Sequence, residues 1–505
     1  MAIITTSPLE LAVYGSLLLA SWYLLHPLFS WNRSIPGPVL AKYTRWWYFW
    51  QLYKCDFHLT NKRLHEKHGN IVQVMPGYFT IDDPNTHKAI YSLSSPWVKG
   101  ESYAAWHVGP NLHNLFSERS PVIHSTMRRK VASMYSMTSL VSYEPYVDHC
   151  IDLFESHLTG IEESNSVVDL AYWFRCYAFD VVSMITFSDR LGFLNKGQDI
   201  ANLIKNVDFI RRLHTFLSVF PWVMPAVHFL RGLLAGNKQV YQQKFASEKI
   251  ALKRLEPDVA EKKGPICMVK KLIDAQRTDD SKITDFDIRV TAGANVGAGS
   301  DTTAITLSCI TFYIYQNPQV LQKLRDEIDG AGLARTPSFN SVQQLPYLQA
   351  VIKEATRVYP ASGLPLWREV PKGGAVLSGQ FFPEGTNVGV NGWVANMNKD
   401  IYGPDADEFR PERWLDAEGG RNKKFKEDTH LTFGLGTRTC IGKNVSLLEI
   451  NKLIPLLVRD YDIQFVAPDG ALNEDKVLAG KNIFFVRPQY LHARISKRTS
   501  GQNKN

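Results

Sequence analysis

The 505-residue chain has few cysteines, and their spacing is not that of a metal cluster. The six cysteines are Cys55, Cys150, Cys176, Cys267, Cys309 and Cys440, with no Cys-x-x-Cys pair among them. Such scattered thiols fit a reducing compartment, where most of them fill the core.

The sequence also lacks the features of a nucleic-acid-binding protein. Lys and Arg exceed Asp and Glu by 57 to 49, and no basic stripe or stacking module accompanies this excess. The modest positive charge suits an acidic protein partner or a membrane surface instead. There is no internal repeat, and the only biased stretch is a polar tail, residues 496–505, which we expect to be disordered.

Charged residues are absent from 11–29, "LAVYGSLLLASWYLLHPLF". A run of this length predicts a membrane-spanning helix, so residues 1–30 are interpreted as an anchor and 31–42, with Pro36-Gly37-Pro38, as a stiff link. The basic residues that follow, Arg33, Lys42 and Arg45, place the rest of the chain on the cytoplasmic side. A cleaved signal peptide does not fit, because a basic start and a cleavage site are missing. A buried apolar helix is the alternative.

Residues 43–495 read as one mainly helical domain with a small β portion. Alternating apolar residues in "NIVQVMPGYFTIDD" predict early strands, and helical spacing follows from about residue 120 to 360. The longest helix is predicted from a capping box at Thr284 and Asp287 to Asn317-Pro318, about 50 Å. Helical spacing returns directly after Cys440.

The stretch "FGLGTRTCIG", residues 433–442, carries the clearest chemistry. Cys440 precedes a helix expected to start near Ile441 or Gly442, whose free N–H groups would stabilise a thiolate. Glycines leave room for a flat, bulky group, and Arg438 offers a fork for a carboxylate. Together they indicate a large anionic metal cofactor held by sulfur.

This stretch resembles the haem-binding signature of the cytochromes P450. Three further features of that superfamily follow the expected order: "AGSDTT" at 298–303, the Glu354 and Arg357 pair in "KEATR", and Arg413 in "PERW", where Trp414 replaces the more frequent phenylalanine. The loop is most similar to fungal microsomal members of the pisatin demethylase-like group. The resemblance covers nearly the whole chain and implies the cytochrome P450 fold as a single large domain.

The resemblance implies haem b with Cys440 as the iron ligand. It also implies cofactor contacts from Phe433 and Gly442, and propionate contacts from Arg438, Arg128 and Arg368. His124 stands where the family has tryptophan, and surface, core and haem placements all stay open for it. Asp301 and Thr302 are the predicted catalytic residues, since Asp301 can relay protons from water and Thr302 can hydrogen-bond into the opened turn or to bound dioxygen; a purely structural role in a bent helix is the alternative.

The resemblance implies that Glu354, Arg357 and Arg413 are structural and fix the core that holds the cysteine loop; a buried, hydrogen-bonded charge cluster is costly to break, at roughly 3–5 kcal/mol. On the substrate side, the resemblance points to residues 103–116 and 360–367 and to Asn295 and Val296. Residues 216–234, with Arg211, Arg212 and Arg231 around them, are expected either to touch the membrane or to pack as ordinary helix.

The expected function is a monooxygenase of the endoplasmic reticulum membrane that oxidises a lipophilic small molecule in fungal secondary metabolism. Electrons would come from NADPH through NADPH–cytochrome P450 reductase, with cytochrome b5 as a further donor. Lys423, Lys424, Lys426 and Lys443 could form the docking patch or merely a solvated face. A haem-thiolate isomerase or reductase without dioxygen activation and a haem sensor are the alternative functions.

Overall fold

The computed structural model describes residues 8–107, 109, 112–235, 241–256, 264–278, 282–415, 429–466, 477 and 479–499. Helices dominate this part of the chain, as predicted. They are α1 (Pro8–Phe29), α2 (Val39–Tyr43), α3 (Trp46–Lys54), α4 (Phe57–His68), α5 (Pro84–Tyr91), α6 (Pro121–Val131), α7 (Met137–Val141), α8 (Glu144–Glu163), α9 (Leu170–Phe187), α10 (Phe193–Lys196), α11 (Leu203–Leu217), α12 (Met224–Ala235), α13 (Tyr241–Leu255), α14 (Met268–Arg277), α15 (Asp285–Gln316), α16 (Pro318–Gly330), α17 (Phe339–Gln343), α18 (Pro346–Val358), α19 (Gly392–Ala395), α20 (Lys399–Tyr402) and α21 (Lys443–Asp460).

The strands are short and lie mostly before α5 and after α18. They are β1 (Ile71–Met75), β2 (Tyr78–Ile81), β3 (Val98–Lys99), β4 (Val168–Asp169), β5 (Arg368–Glu369), β6 (Ala375–Leu377), β7 (Gln380–Phe382), β8 (Asn387–Gly389), β9 (Tyr461–Phe465), β10 (Lys481–Ile483), β11 (Phe485–Arg487) and β12 (His492–Lys497). One sheet has the order β1-β2-β8-β5-β3, with only β2 and β8 parallel. A second has the order β4-β12-β9, and β6–β7 and β10–β11 are hairpins.

The long helix α15 is the centre of the helical region. It begins with the predicted capping box, in which Thr284 and Asp287 satisfy each other's backbone N–H groups. Its 32 residues give a length of about 48 Å at 1.5 Å per residue. It packs against α9, α18 and α21, so one continuous apolar core surrounds its second half.

The N-terminal region differs in part from the sequence-based expectation. Residues Pro8–Phe29 form a helix as predicted, but among the described residues no single helix is both long and apolar enough to cross a bilayer. Two segments, Ile200–Leu217 and Pro221–Leu230, meet that criterion only as a pair bent by 112°. The membrane-spanning assignment of residues 1–30 therefore stays a prediction.

The link and the tail are more ordered than expected. The carbonyl of Pro36 accepts the N–H of Gln73 in β1 at 2.9 Å, and the second half of the link forms α2, with Ala41 buried. At the other end, β12 continues to Lys497, and Arg498 pairs with Asp329 at 2.7 Å. The polar tail therefore starts after the position predicted for it, and residues 500–505 lie outside the described part.

Candidate functional site

The loop that carries Cys440 is held in one shape by its own backbone. The N–H of Cys440 donates to the carbonyl of Phe433 at 2.8 Å. Gly434 and Gly436 have φ angles of 67° and 63°, which side chains rarely tolerate. A Cβ on Gly436 would lie 2.1 Å from the carbonyl oxygen of Tyr91, so only glycine fits there.

The thiol of Cys440 is presented to open space although protein surrounds it. It is the only exposed cysteine of the six. Burial raises the pKa of the thiol, while the N–H groups of Gly442 and Lys443 and the charge of Arg128 act in the opposite direction. Gly442 caps α21, which begins at Lys443, just after the predicted position. A thiol that is both deep and accessible borders a cavity.

The face of α15 that borders open space carries Ala294, Ala298 and Thr302, four residues apart. The two alanines are exposed, and Thr302 is partly so, although α15 packs against helices on several sides. The hydroxyl of Thr302 donates to the carbonyl of Ala298 at 2.9 Å. Small side chains on this face leave room beside the helix.

The residues predicted next to this face, Asn295 and Val296, differ in exposure. Val296 is buried, with 2% of its surface exposed. The amide oxygen of Asn295 accepts the hydroxyl of Tyr135 at 2.5 Å, and its nitrogen donates to Thr186 at 3.2 Å. The prediction was wrong for Val296, which lies two positions from the exposed Ala294 and Ala298 on a helix that turns 100° per residue, while for Asn295, partly exposed like Thr302, it stays a prediction.

Direct contacts bring the cysteine helix and the central helix together. Thr303 on α15 and Ser446 on α21 share a hydrogen bond of 3.1 Å. Asn444 donates to the carbonyl of Tyr135 at 3.1 Å, and Tyr135 in turn bonds Asn295. The start of α21, beside the thiol, and the middle of α15 are thus fixed to each other.

Five basic side chains gather beside the cysteine loop. We call four of them the open cation cluster: Lys99, Arg128, Arg368 and Arg438, with His124 lying among them. Its arginines donate to backbone carbonyls: Arg128 to Thr439 at 2.9 Å, Arg368 to Trp367 at 2.9 Å, and Arg438 to Glu118 and Arg119 at 2.7 and 2.9 Å. Among the described residues, no carboxylate forms a salt bridge with any member.

Lys99 and Arg368 show how unusual this arrangement is. They are directly paired across β3 and β5, and both are buried, with 6% and 4% of their surface exposed. Like charges facing each other across strands are destabilising. Burial, followed by the charges of Arg368 and Arg438, holds the pKa of Lys99 well below its usual range. Sequence reasoning missed Lys99, because a lone lysine in a two-residue strand carries no pattern.

The pKa values of Arg438 and of the adjacent His124 are lowered as well. Burial and then Arg368 lower the pKa of Arg438 to about 10. Burial and then Arg438 lower the pKa of His124 to about 3, so this buried histidine is neutral near pH 7. The nearby carboxylate of Glu118 is occupied by His113 at 2.6 Å and the N–H of Ser120 at 2.6 Å. The charge of Glu118 acts on Arg438, but no carboxylate of the described residues pairs directly with the cluster.

Asp301, in contrast, is a carboxylate that is surrounded by arginines. Its buried carboxylate is bonded by Arg175 and Arg211 and lies 3.3 Å from Arg487. Asp208 completes this group, which we call the Asp301 cluster, with bonds to Arg175 at 2.5 Å and to Arg487 at 2.7 Å. Burial alone would raise the pKa of Asp301, but the three arginines overcome it and hold that pKa well below its usual value.

The Asp301 cluster also takes in Arg211, which precedes the apolar segment 216–234 in sequence. Only 5% of Arg211 is exposed, and it binds Asp301; whether residues 216–234 touch the membrane or pack as ordinary helix stays a prediction. Arg211 joins α11 to α15, and Arg175 joins α9 to Asp301. The side chain of Arg231 lies outside the described residues.

Glu354, Arg357 and Arg413 form the predicted buried network. Arg357 donates to both oxygens of Glu354 at 2.8 and 2.9 Å, and Arg413 adds a bond of 2.7 Å. The indole N–H of Trp414 donates to the same carboxylate at 2.9 Å, which a phenylalanine could not do. Burial would raise the pKa of Glu354, but Arg357 and Arg413 lower it.

Asn396 connects this network to the cysteine loop. Its carbonyl oxygen in the backbone accepts from Arg357 at 2.8 Å. Its side chain accepts the N–H of Leu431 at 3.1 Å and donates to Thr432 at 3.2 Å, just before the loop begins. The buried charges therefore set the position of the segment that leads to Cys440.

These features fit a flat, dianionic metal cofactor. The thiol supplies a soft metal ligand, the small residues on α15 leave room beside that helix, and the open cation cluster would neutralise two carboxylates. Haem has this shape, this charge and this preference for a thiolate ligand. The fold and the site thus define a haem-thiolate protein.

The chain belongs to the cytochrome P450 family: residues 40–485 match the family model described as Cytochrome P450. It is 35% identical over 494 residues to a pisatin demethylase of Fusarium vanettenii, covering 96% of this chain and 92% of that protein. It is 34% identical over 443 residues to a cytochrome P450 monooxygenase of Aspergillus terreus, covering 85% and 90%. It is 35% identical over 482 residues to the cytochrome P450 monooxygenase cicH of Emericella nidulans, covering 92% and 93%.

Membership confirms the expected class. The protein is a P450 monooxygenase, and the family holds haem iron through a cysteine thiolate. The individual roles of Cys440, Arg128, Arg368, Phe433, Arg438, Gly442, Asp301 and Thr302 stay predictions, which the geometry above now makes specific.

Proposed function

We propose that this protein hydroxylates, or oxidises in related successive steps, a lipophilic small molecule of fungal secondary metabolism. The observation that carries the proposal is the accessible thiol of Cys440 beside a central helix whose open face bears Thr302. The relatives support it, since they are fungal P450 monooxygenases and one is named for the demethylation of pisatin. No particular substrate is carried over from them.

In this proposal, Cys440 ligates the iron of haem b. Arg128, Arg368 and Arg438, together with Lys99, would bind the two propionates, and Phe433 and Gly442 of the cysteine loop would contact the cofactor. When bound, haem supplies the activation of dioxygen by electrons from NADPH. The chain supplies the ligand, the counter-charges and the dry cavity that surround it.

Thr302 is the better placed of the two proposed catalytic residues. Its hydroxyl lies on the open face of α15 and, within the described residues, bonds the carbonyl of Ala298 alone, so it can turn to donate to a group in the cavity. Asp301 is held by three arginines, and its low pKa keeps it ionised. It can relay a proton only after an arginine has moved away, so we give it the secondary role.

The proposed substrate side is a wall of aromatic rings. Trp106 contacts Phe116, His214 and Phe484 with ring centroids 5.6, 5.3 and 4.8 Å apart. These rings come from the region 103–116, from α11 and from the turn between β10 and β11. Such a wall suits a lipophilic substrate. Val108, Pro110 and Asn111 lie outside the described residues.

We further propose a cytoplasmic catalytic domain at the endoplasmic reticulum membrane. Trp46, Trp50 and Trp222 expose 62%, 55% and 60% of their surfaces, and Phe229 exposes 68%. Trp46 and Trp222 both contact Phe220, with ring centroids 5.0 and 5.4 Å away, so part of this apolar surface is continuous. Exposed tryptophans are typical of membrane interfaces.

NADPH–cytochrome P450 reductase, with cytochrome b5 as a further donor, is the proposed electron source. Lys443 and Arg129 are exposed next to the cysteine loop and could meet an acidic partner there. Lys423, Lys424 and Lys426 lie outside the described residues.

Coexpression of the full chain with a fungal reductase tests the function. We expect a thiolate-type spectrum for the reduced, CO-bound protein, NADPH consumption that depends on substrate, and products carrying added oxygen or lacking hydrogen. Cys440→Ser should abolish the thiolate-type spectrum. Product formation without NADPH and dioxygen would indicate the isomerase-type alternative, and binding of small molecules without turnover would indicate the sensor.

A further inference from the structure

The side chain of Tyr91, the last residue of α5, lies between two chain segments at the end of the five-stranded sheet. Only 3% of this residue is exposed. Its hydroxyl donates to the carbonyl of Leu366 at 2.6 Å and accepts the N–H of Val390 at 3.0 Å. The monooxygenase mechanism proposed above assigns no role to this tyrosine.

The hydroxyl occupies a position where a backbone hydrogen bond is expected. β5 and β8 are antiparallel, with Arg368 opposite Val388. The same register places Leu366 opposite Val390, where an antiparallel pair exchanges two backbone bonds. One of them is present, since the N–H of Leu366 donates to the carbonyl of Val390 at 2.9 Å. The return bond runs through the Tyr91 hydroxyl instead, so one oxygen atom holds the two segments apart.

The segment that leaves the sheet at this point leads to the aromatic wall of the proposed substrate side. Three residues before Leu366, the N–H of Gly363 donates to the carbonyl of Phe484 at 3.0 Å, in the turn between β10 and β11. The ring of Phe484 contacts Trp106 and Phe116, with ring centroids 4.8 and 5.9 Å away. Backbone bonds therefore connect the position of the Tyr91 hydroxyl to the position of this wall.

The ring of Tyr91 has a separate contact. The guanidinium of Arg368 lies over this ring, 4.9 Å from its centroid. A phenylalanine ring also attracts a cation through its face, so Tyr91→Phe keeps this contact and removes only the hydroxyl. The two parts of the side chain can therefore be tested separately.

We propose that Tyr91 is a positioning residue for substrate selection. Its hydroxyl, placed between Leu366 and Val390, sets the path of residues 361–366 and thereby the place of Phe484 in the aromatic wall. This inference rests on the proposed function, because it takes that wall as the substrate side. Without the hydroxyl, the N–H of the fully buried Val390 would lose its partner, which is costly, so the two segments should close on each other. Closure would move residues 361–366 toward β8 and displace Phe484.

Spectral titration of the haem-loaded wild type and of Tyr91→Phe tests the proposal. Imidazole is small enough to reach the iron without meeting the wall, so both proteins should bind it equally. Clotrimazole, an imidazole that carries bulky aromatic rings, must fit against the wall. Its Kd relative to that of imidazole should change by about threefold or more in Tyr91→Phe.

Hydrogen exchange followed by mass spectrometry gives a second measurement on the same proteins. The peptide that contains Gly363 should exchange faster in Tyr91→Phe, since displacement of the segment weakens its bond to the carbonyl of Phe484. Faster exchange in the peptide that contains Val486 is expected as well, because its N–H donates to the carbonyl of Ala361 at 2.8 Å.

The matched control is Tyr315→Phe. The hydroxyl of Tyr315 lies 2.9 Å from the carbonyl oxygens of Leu457 and Tyr461, at the end of α15. Its removal should lower the thermal stability but leave the ratio of the two azole affinities unchanged. Tyr91→Leu also removes the ring beside Arg368 and should weaken haem binding in addition.

An unchanged affinity ratio in Tyr91→Phe would overturn the proposal, as would the same change in Tyr315→Phe or unaltered exchange of the Gly363 peptide. Loss of haem by Tyr91→Phe would also overturn it, because this variant keeps the ring against Arg368. The CO-bound spectrum and the product assay of the wild type report on the monooxygenase proposal itself. A failure of that proposal is therefore distinguishable from a failure of the role assigned to Tyr91.

Discussion

The two groups of buried cations in this protein differ in what neutralises them. In the Asp301 cluster, three arginines enclose the carboxylates of Asp301 and Asp208. In the open cation cluster, the arginines and Lys99 donate to backbone carbonyls and lie against aromatic rings, and within the described residues none of them forms a salt bridge with a carboxylate. Charge that is paired within the chain holds elements together, whereas buried charge that is left unpaired marks the place of a ligand.

The largest effect is expected from a third, fully paired group, the one centred on Glu354. Glu354→Ala should leave the buried Arg357 without a counter-charge and Arg413 with Asp405 alone, and lower the free energy of unfolding by about 3–5 kcal/mol. Haem content per polypeptide and thermal unfolding measure this. Glu66→Ala, at an exposed glutamate of α4, is the control. Full haem content together with unchanged stability would contradict a structural role for Glu354.

Removing one cation from each cluster should have different effects on stability and on haem affinity. Arg175→Met leaves Asp301 and Asp208 short of a partner and should destabilise both the haem-free and haem-loaded protein, by about 3 kcal/mol. Lys99→Met removes an unneutralised buried charge, so the haem-free protein should be no less stable than the wild type. Its haem affinity should fall about tenfold, since a charge-assisted bond is lost. Denaturant unfolding and haem transfer to an apo-acceptor measure these effects.

If both variants lost the same stability in the haem-free state, the distinction between the clusters would be wrong. The same conclusion would follow if Lys99→Met kept the haem affinity of the wild type.

Acid should weaken the Asp301 cluster as the pH falls from the ordinary pKa of an aspartate toward the lower folded-state pKa of Asp301. The folded-state pKa of Asp301 is lowered from an ordinary value of 3.8, so its contribution to stability is complete above that value and is lost as the pH falls toward the folded-state pKa. Urea unfolding at about pH 5 and about pH 3 should show a smaller pH-dependent loss for Asp301→Asn than for the wild type. Identical acid dependence would mean that Asp301 is not ionised in the cluster.

The smallest predicted effect concerns Trp414. Trp414→Phe keeps most of the ring but removes the N–H that bonds Glu354, so we expect a loss of about 1 kcal/mol of stability with full haem content. Thermal unfolding measures it. A loss of haem comparable to that of Glu354→Ala would show that the indole does more than complete the bonding of the carboxylate.

Sequence reasoning was most successful where chemistry and spacing coincide. The capping box of α15, the pairing of Glu354 with Arg357 one turn later, and the glycine-rich approach to Cys440 all depend on residues close in the chain. The resemblance to a family added Arg413, which lies far from Glu354 in sequence but bonds it.

The partners of Asp301 and the role of Lys99 could not be predicted in the same way. Arg175, Arg211 and Arg487 come from three segments far from Asp301 in sequence. None of these arginines belongs to a local sequence pattern that would indicate its partner. Only the packing of α9, α11 and β11 around α15 brings them together. The facing of Lys99 and Arg368 likewise depends on strand register, which two-residue strands do not specify in sequence.

The glycine at position 436 also bears on protein engineering. Its α-carbon packs against the backbone of Tyr91. Arg438, two residues later, donates to the carbonyls of Glu118 and Arg119, and Asn396 accepts the N–H of Leu431, just before the loop. The ten-residue signature is therefore not a portable module. Grafted onto another scaffold without these three distant contacts, the signature would keep its amino-acid sequence but would not keep its conformation.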